Sequence, residues 1–583
     1  MPINLYANDT SGNVSKQWNK HISYYFTLAG LAPKLSNMQY NCHFLSTSNQ
    51  AGVLELGEAI VEDLNALGTT GFVAHDVALD TEVLIMSVIL CFQGDSPMHA
   101  KVTNTTLPNV SLNPCRMCCL HAAHLDDKKT VAYVQDFLCL DGHGRRFKLS
   151  LWIVLLTANS LMGRSSPQTS GTGQQWETII SQTANLWELG KNGVKSHFDD
   201  QTKLVGVRDN INRRFVEIMQ QKDNASQQDE IRKMEEEDLA QLFNPFLGLL
   251  GFDGCLDTPV EILHVFLLGI VKYLTRDFIK GLKVKQLARI VASWDAINVD
   301  SLNITSIQAQ YLVKHVSLLV GKDFKIVLQT APFVLYQFMT DAQRALWISL
   351  GQLATYIFET HILHMKQYLA DLRKHIDIFM WNLINTTAQW VNKPKFHMLM
   401  HLPESIEQFG PPTTFATEKF ESFNSILRNA SVHSNRHRPG RDLALSFLNF
   451  HALRLVVSNA RLFNHHTRLE FYASNKVTDI FRTNPIIQKS MGYNHLLVEP
   501  QNAFPAIIHS SLTEADKQEI PAYFNQYPNA RVTQICQLRL SEKDVVKRRY
   551  FVLVNELDGI SHEYLIPKLI LQCDIDCSRW PEM

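Results

Sequence analysis

Three acidic residues constrain the fold of this chain most strongly, because two of them end apolar runs of β type. The first run, residues 3–9, alternates small and apolar residues, ends on Asp9 and is followed by a turn-forming segment. A nearly continuous apolar run, residues 83–92, is typical of a central strand covered on both faces, and it leads into Asp95. The third acid, Glu421, follows much later, in a helical pattern.

The elements between the first two acids limit the topology. Two further β-rich runs, residues 21–28 and 41–47, precede a helical pattern over residues 51–67. The order is strand, strand, strand, helix, strand, with acids after the first and fourth strands. This is the layout of a ribonuclease-H-like core, in which the two carboxylates meet at one sheet edge. We therefore predict an α/β fold: a ribonuclease-H-like catalytic core interrupted by a large α-helical insertion.

Two helical segments carry polar residues grouped on one face. Around Glu421, apolar residues recur at helical spacing and form one stripe: Phe420, Phe423 and Leu427. Glu421 lies on the adjacent polar face. Earlier in the chain, Asp257 and Pro259 have the pattern of a helix start, with Asp257 as the N-cap. Glu261 and His264, which follow them in the sequence, share one helix face.

The chemistry suggested by the acids is metal-dependent phosphodiester cleavage. Three carboxylates in one pocket could hold two Mg²⁺ or Mn²⁺ ions roughly 4 Å apart, which activate a water and stabilise the leaving oxygen. We predict Asp9, Asp95 and Glu421 as the catalytic residues. The ordinary alternative is that an aspartate at a strand end is a turn or cap residue.

Length and periodicity predict one interrupted core and a smaller module in the 583 residues. The predicted regions are the first part of the core over residues 1–120, the helical insertion over 121–400, the catalytic helix region over 401–475 and a small β-rich C-terminal module over 476–583. In that module the candidate strands are residues 531–540, 550–555 and 563–572, with a hairpin turn at Asp558-Gly559.

Charge and hydropathy exclude some partners. The formal net charge is −1, so any DNA-binding surface must be a local patch. No apolar run reaches the roughly 18 residues that a membrane span needs, and no signal peptide opens the chain, so we expect no membrane partner. The ten cysteines do not form a disulfide framework.

Two distant pairs of residues predict a structural zinc site. Cys115 and Cys118 form a Cys-x-x-Cys motif, a spacing that lets two thiolates bind one Zn²⁺. His397 and His401 are four residues apart and share one face of a helix. Two histidines nearer to the cysteines are alternative ligands: His121 and His124. Each pair also has an ordinary interpretation, as buried thiols or as polar residues on a helix.

Five segments together form a specific combination of motifs: residues 258–264, 393–403 and 420–428, Ser434-Asn435 and Arg441-Asp442. With them, residues 3–470 resemble the CACTA-type DDE transposases, in particular the Plavaka-like fungal lineage. The resemblance implies a nuclear protein that hydrolyses DNA at transposon ends and joins the freed 3′ hydroxyl to target DNA. A homodimer is one assembly consistent with it.

The resemblance also implies the zinc site. Related recombinases place a Cys-x-x-Cys about twenty residues after the second aspartate and a histidine pair about twenty before the glutamate. Here Asp95 precedes Cys115 by twenty residues, and His401 precedes Glu421 by twenty.

The chain departs from the family pattern at the first strand. Relatives usually have Asp-Asp before the Ser-Gly-Asn segment, whereas this chain has Asn8-Asp9. If position 8 is the metal ligand, an amide has replaced a carboxylate. Strand parity instead puts Asp9 on the side of Leu5 and Ala7, which leaves it available as the ligand. Complete relatives also carry upstream sequence, so we expect a truncated or domesticated copy. The alternative function is therefore a catalytically inactive DNA-binding or interaction protein.

An arginine-rich segment follows Glu421. The residues predicted to contact DNA phosphates are Arg428, Arg436, Arg438 and Arg441, and further arginines in the segment are Arg454, Arg461 and Arg468. Only two acids oppose them between residues 425 and 470: Asp442 and Glu470. The alternative interpretation is a solvated helix face.

Overall fold

The structure of the protein is a computed structural model. It describes residues 2–11, 20–108, 111–138, 173–221, 224–299, 304, 306–387, 389–390, 393–434, 437–464 and 466–494, and the backbone of four short strands after residue 536. The chain forms two compact units. The first contains Met1–Lys280 and Ser317–Tyr493, and the second contains Gly281–Val316 and Asn494–Met583.

One four-stranded sheet organises the first unit. The strands of this unit are β1 (Ile3–Ser11), β2 (Lys20–Leu28), β3 (His43–Ser48), β4 (Phe72–Asp76), β5 (Thr81–Ile85), β6 (Ile89–Gln93), β7 (Leu462–Asn464) and β8 (Leu469–Phe471). The sheet has the order β3-β2-β1-β6. Strands β1, β2 and β3 are antiparallel neighbours, and β6 runs parallel to β1. The other four strands form two separate hairpins, β4-β5 and β7-β8.

Helices make up most of the remaining described chain. The α-helices of the first unit before residue 281 are α1 (Pro33–Ser36), α2 (Val53–Thr69), α3 (Ser96–Val102), α4 (Val131–Phe137), α5 (Trp176–Asn192), α6 (Lys195–Val205), α7 (Asn210–Met219), α8 (Ala225–Glu237) and α9 (Lys272–Lys280). A π-helix, Leu263–Val271, leads into α9. The second unit contains α10 (Val284–Asp295) and α11 (Ala309–Lys314).

The first unit resumes with a second series of helices. They are α12 (Gly321–Val334), α13 (Asp341–Ile357), α14 (Met365–Thr386), α15 (Pro394–Met398), α16 (Leu402–Phe409), α17 (Glu418–Val432), α18 (Pro439–Val457), α19 (Asn475–Thr483) and α20 (Pro485–Ser490). Short 3-10 turns are found at Gln39–Asn41, Leu125–Lys129, Leu239–Leu242, Pro245–Gly248, Tyr336–Phe338, Leu399–His401 and Pro412–Thr414. No helix within the described ranges combines the length and apolar character that crossing a membrane requires.

The sheet is buried on both faces, because successive side chains of β1 point to opposite sides. Leu5 and Ala7 face a core that includes α2 and the α5–α7 helices. Tyr6 faces the other way, into a core formed with α17 and α18, and its ring stacks on Phe420 at 4.4 Å between centroids. The predicted apolar stripe of α17, Phe420, Phe423 and Leu427, is fully buried there. The fold is therefore mixed α/β, with helical layers on both sides of the sheet.

Several predicted elements are confirmed, and one is wrong. Strands β1, β2 and β3 and helix α2 lie within two residues of the predicted runs. Residues 83–92, however, do not form one central strand. Their first part belongs to β5 in the β4-β5 hairpin, where Leu84 and Ile85 are exposed, and only the second part enters the sheet as β6. An apolar run without alternation has no periodicity from which such a break could be predicted.

Two pairs of strands are described near the C-terminus, in the second unit. β9 (Gln537–Arg539) pairs antiparallel with β10 (Val545–Lys547), and β11 (Tyr550–Val554) pairs antiparallel with β12 (Leu569–Cys573). Three of these strands overlap the predicted ones, and β10 was not predicted. The predicted turn at Asp558-Gly559 lies outside the described residues.

Candidate active site and metal clasp

The first strand presents Asn8, not Asp9, to Glu421. The Nδ2 of Asn8 donates a hydrogen bond of 2.9 Å to Glu421 Oε1, and the hydroxyl of Tyr6 donates to the same oxygen at 3.0 Å. Asp9 lies on the other side of the strand, exposed, with Lys20 Nζ 3.2 Å from its carboxylate. The expectation that Asp9 faces Glu421 is corrected: its side of β1, shared with Leu5 and Ala7, faces away from α17.

Asp95 lies directly beyond the end of β6, next to β1. Tyr6 is opposite Gln93, the last residue of β6, in the parallel pairing, and the charge of Asp95 acts on Tyr6. Burial and the nearby charges of Glu421 and Asp95 raise the pKa of Tyr6 well above its ordinary value, which keeps its hydroxyl a donor. Asp95 also caps α3, accepting the Met98 amide at 2.8 Å. Its position thus fits both the catalytic and the capping interpretation.

A buried Glu261–His264 pair completes this region, which we call the acid pocket (Asn8, Asp95, Glu261, His264 and Glu421). Glu261 accepts hydrogen bonds from His264 Nδ1 at 2.8 Å and from the backbone amides of Leu263, His264 and Thr417 at 2.7, 2.7 and 2.9 Å. It therefore ties the first turn of the π-helix to the start of α17. The predicted cap, Asp257, is not the residue that performs this role.

Electrostatics favour the charged form of the pair. Burial lowers the pKa of His264, but the hydrogen bond and charge of Glu261 and the charges of Glu421 and Asp95 outweigh it, and the net shift is upward. Burial raises the pKa of Glu261, whereas the His264 bond and the Thr417 amide lower it, with a net downward shift. His264 Nε2 lies 3.6 Å from Glu421 Oε1. The sequence indicated these two residues by their shared helix face and by the segment 258–264 that contributes to the resemblance.

A buried lysine lies close enough to the acid pocket for its charge to interact with Asp95 and Glu261. Lys395 Nζ donates to the backbone carbonyl of His264 at 2.8 Å. Burial lowers the pKa of Lys395, and the charges of Asp95 and Glu261 oppose that shift. Among the described residues, three or more His, Cys, Asp or Glu ligand atoms lie within 4.8 Å of one another at two places, and neither includes Asp95 or Glu421.

The first of those two places is the predicted zinc site, which we call the clasp: Cys115, Cys118, His397 and His401. All four ligand atoms lie within 4.8 Å of one another. Cys118 Sγ is 3.1 Å and His401 Nε2 is 3.2 Å from His397 Nε2. A tetrahedral zinc with ordinary bond lengths separates N and S ligands by about 3.6 Å and two N ligands by about 3.3 Å, so the four residues fit this ion.

The surroundings of the clasp favour a bound cation. His397 Nδ1 contacts the backbone carbonyl of Phe137 at 2.6 Å, which fixes its tautomer and leaves the Nε2 lone pair facing the site. Burial raises the pKa of Cys115, but the Cys118 hydrogen bond and the nearby His401 and His397 lower it, with a net shift well below the ordinary value. Thiolate and neutral imidazole are the ligand forms that Zn²⁺ requires.

The alternative histidines lie elsewhere. His121 is exposed and contacts Asn113 Oδ1 at 2.9 Å through its Nδ1, and His124 is an exposed cap of the following 3-10 turn. Neither belongs to the group of ligand atoms at the clasp. The distant histidine pair is therefore the one that the fold brings to the cysteines.

Arg116, between the two cysteines, joins the clasp to the segment before Glu261. Its Nε donates to Thr258 Oγ1 at 2.9 Å, and its Nη2 donates to the carbonyls of Thr258 at 2.7 Å and Pro259 at 3.1 Å. Burial lowers the pKa of Arg116 to about 10, opposed by Cys115. The clasp thus positions the chain that leads into the acid pocket.

The predicted DNA-contacting arginines have different environments. Arg438 and Arg441 are exposed beside α18, Arg428 is half-buried on α17, and Arg436 lies outside the described residues. Arg454, which belonged to the same sequence segment, is not a surface group. It is buried and donates to the carbonyls of Gln39, Cys42 and Met491 at 2.8, 2.9 and 3.2 Å. Its role is structural.

Comparison with known proteins adds no family to this description. No model of a known protein family matches the sequence, and no curated protein is similar enough to count as a match. The resemblance to DDE transposases therefore stays a prediction from motifs.

Proposed function

We propose that this protein derives from a CACTA-type DDE transposase and acts as a DNA-binding protein without the full metal-dependent strand-transfer chemistry. The observation that carries the proposal is the hydrogen bond from Asn8 Nδ2 to Glu421 Oε1. The sheet order supports the proposed ribonuclease-H-like ancestry: three antiparallel strands, a helix, and a fourth strand parallel to the first.

The loss of chemistry follows from the charge at position 8. Two-metal catalysis relies on carboxylates that hold both cations and offset their charge. Asn8 is neutral, and its amide donates to the oxygen of Glu421 that a cation would bind. The same oxygen also accepts from Tyr6 and faces His264 at 3.6 Å. A cation that binds Glu421 would have to displace these donors. It would also have one carboxylate fewer around it than in a site with aspartate at position 8.

DNA binding in the proposal rests on the basic surface after α17. Arg438 and Arg441 are exposed near the start of α18, and Arg461 and Arg468 are exposed before and within the β7-β8 hairpin. Exposed arginines can neutralise DNA phosphates and release counterions, which gives affinity that falls steeply with salt and depends little on base sequence. This surface does not need the acid pocket to be active.

The test compares the full-length wild type with variants at positions 8, 9 and 95, all loaded with zinc, on supercoiled and linear DNA. The wild type is expected to bind DNA and to show no Mn²⁺-dependent nicking. Asn8→Asp restores the missing carboxylate and is expected to nick, and adding Asp95→Ala to it should remove that activity. Asp9→Asn is the matched control, because it changes the neighbouring residue on the opposite face. Nicking by the wild type that Asp95→Ala abolishes would disprove the loss of activity, and absent DNA binding would disprove the retained role.

One observation favours a second function, a nuclease that works with a single metal ion. Glu421 and His264 are neighbours, and the charge of Asp95 acts on His264. Once His264 has lost its proton and the three side chains have moved closer together, they could bind one cation without Asn8. In that case the wild type nicks DNA in Mn²⁺, and both His264→Ala and Glu421→Gln remove the activity while Asn8→Ala does not.

A further inference from the structure

A second group of ligand-type side chains lies where two β-hairpins meet, separate in the sequence from the clasp and the acid pocket. His75 is on β4, Asp80 is in the turn before β5, and Glu470 is on β8. One nitrogen of His75 and one carboxylate oxygen from each acid all lie within 4.8 Å of one another. Nearly four hundred residues separate the two hairpins in sequence, so the grouping is a product of the fold.

Packing fixes the imidazole of His75, and one of its nitrogens has no hydrogen-bond partner among the described residues. Its ring stacks on Phe463 of β7, 3.9 Å between centroids and 20° between planes. The side chain is only 10% exposed, and Nε2 is buried and has no hydrogen-bond partner among the described residues. The nearest acidic oxygen, Asp80 Oδ1, is 3.5 Å away. Buried polar atoms are almost always satisfied, so this nitrogen points to a missing ligand.

The two acids also lack an alternative cation. Within the described ranges, no lysine or arginine forms an ion pair with Asp80 or Glu470. The nearby Arg468 places its guanidinium over the Phe463 ring at 5.4 Å instead. One neutral imidazole and two carboxylates carry two negative charges, which a divalent ion would neutralise.

We propose that His75 Nε2, Asp80 and Glu470 bind a divalent transition-metal ion, with Zn²⁺ the best fit, and that this ion fastens the β4-β5 hairpin to the β7-β8 hairpin. The imidazole nitrogen selects against Mg²⁺ and Ca²⁺, which prefer ligand sets made only of oxygen. Three protein ligands leave a fourth tetrahedral position for water. The stacked Phe463 ring fixes the orientation of the imidazole, as partners behind metal ligands commonly do.

The experiment counts zinc per chain by elemental analysis, after the full-length protein has been loaded with Zn²⁺ and freed of excess by gel filtration. His75→Gln and Glu470→Gln are each expected to bind one zinc ion fewer than the wild type. His361→Gln, a change at an exposed histidine, is the matched control and should bind as many as the wild type. Glu470→Gln alters an exposed side chain, so it tests the site even if His75→Gln misfolds.

A second measurement separates this site from the clasp. Co²⁺ bound by the clasp should give a thiolate charge-transfer absorption, whereas Co²⁺ bound by His75, Asp80 and Glu470 gives none. Both variants should keep the thiolate band at wild-type intensity while losing one equivalent of metal. Unchanged zinc in both variants would overturn the proposal, and so would a loss that is always accompanied by loss of the thiolate band.

Discussion

Replacing Asn8 by Asp should make the stability of the protein depend on divalent cations. In the wild type the Asn8 amide nitrogen is 2.9 Å from Glu421 Oε1 and attracts it. The substitution puts an anionic oxygen at that position. At 2.9 Å the Coulomb repulsion of two unit charges is about 1.4 kcal/mol at the dielectric constant of water and about 6 kcal/mol at an effective value of 20.

The expected loss of stability is in the lower half of that range, because the Glu421 side chain is 35% exposed and water screens the repulsion. Mn²⁺ should restore most of the lost stability by binding between the carboxylates. Lower pH should also restore it. Repulsion raises the folded-state pKa of one carboxyl, so the destabilisation is present above that pKa and disappears as pH falls through it.

The assay is urea unfolding of zinc-loaded protein with and without added Mn²⁺, without a chelator, so that the clasp keeps its metal. Asn8→Ala is the matched control, because it removes the hydrogen bond and adds no charge. Asp9→Asn tests the opposite face of the strand. If Asn8→Asp and Asn8→Ala unfold at the same urea concentration, and Mn²⁺ affects neither, then position 8 is not part of a cation pocket and the reasoning is refuted.

Three further predictions concern the clasp, the acid pocket and the arginines. His397→Ala should lose one zinc per chain and destabilise the protein by more than about 3 kcal/mol, measured by elemental analysis and denaturant unfolding, since a bound structural metal contributes directly to folding. Glu261→Gln should cost about 3 kcal/mol, because it removes the buried charge that pairs with His264 Nδ1. Ionised Glu261 contributes its full stabilisation above the ordinary glutamate pKa of 4.5, and protonated His264 contributes its full stabilisation below the ordinary histidine pKa of 6.5. In a pH series of unfolding curves, the stability lost by Glu261→Gln should therefore be largest between pH 4.5 and pH 6.5. Arg454→Ala should cost about 3 kcal/mol in stability. Arg441→Ala should change stability by less than about 0.5 kcal/mol. In a filter-binding or anisotropy titration, Arg441→Ala should also reduce the slope of log K for DNA binding against log salt concentration by about 1.

What could be predicted from the sequence depended on local spacing. The alternation of residues 3–8 is enough to identify β1, and the three apolar residues of α17 identify its buried stripe. The Cys-x-x-Cys and the histidine pair each specify a half-site whose geometry is set within four residues. The sequence also predicted that the two half-sites share one ion, the resemblance agreed with that prediction, and the structure brings their ligand atoms together.

The features that could not be predicted depend on which helices pack against which face of the sheet. Strand parity separates Asn8 from Asp9, but only the packing of α17 against the Tyr6 face decides that Asn8 meets Glu421. Arg454 shows the same limit. Its sequence neighbours are exposed arginines, and its burial is fixed by carbonyls of the chain near Gln39 and Met491, which no local pattern connects to it.

The clasp and the acid pocket are joined by hydrogen bonds of Arg116 and Glu261 and by the short chain segment between them, which under the proposed function would be a reason to keep the clasp after catalysis is lost. Arg116, next to Cys115, binds the carbonyls at Thr258 and Pro259. Two residues further on, Glu261 accepts the Thr417 amide at the start of α17. A zinc ion bound at the clasp would therefore help to position α17, and the exposed arginines of the proposed DNA surface follow that helix. Loss of zinc should weaken DNA binding as well as stability, even in a protein whose acid pocket carries no metal.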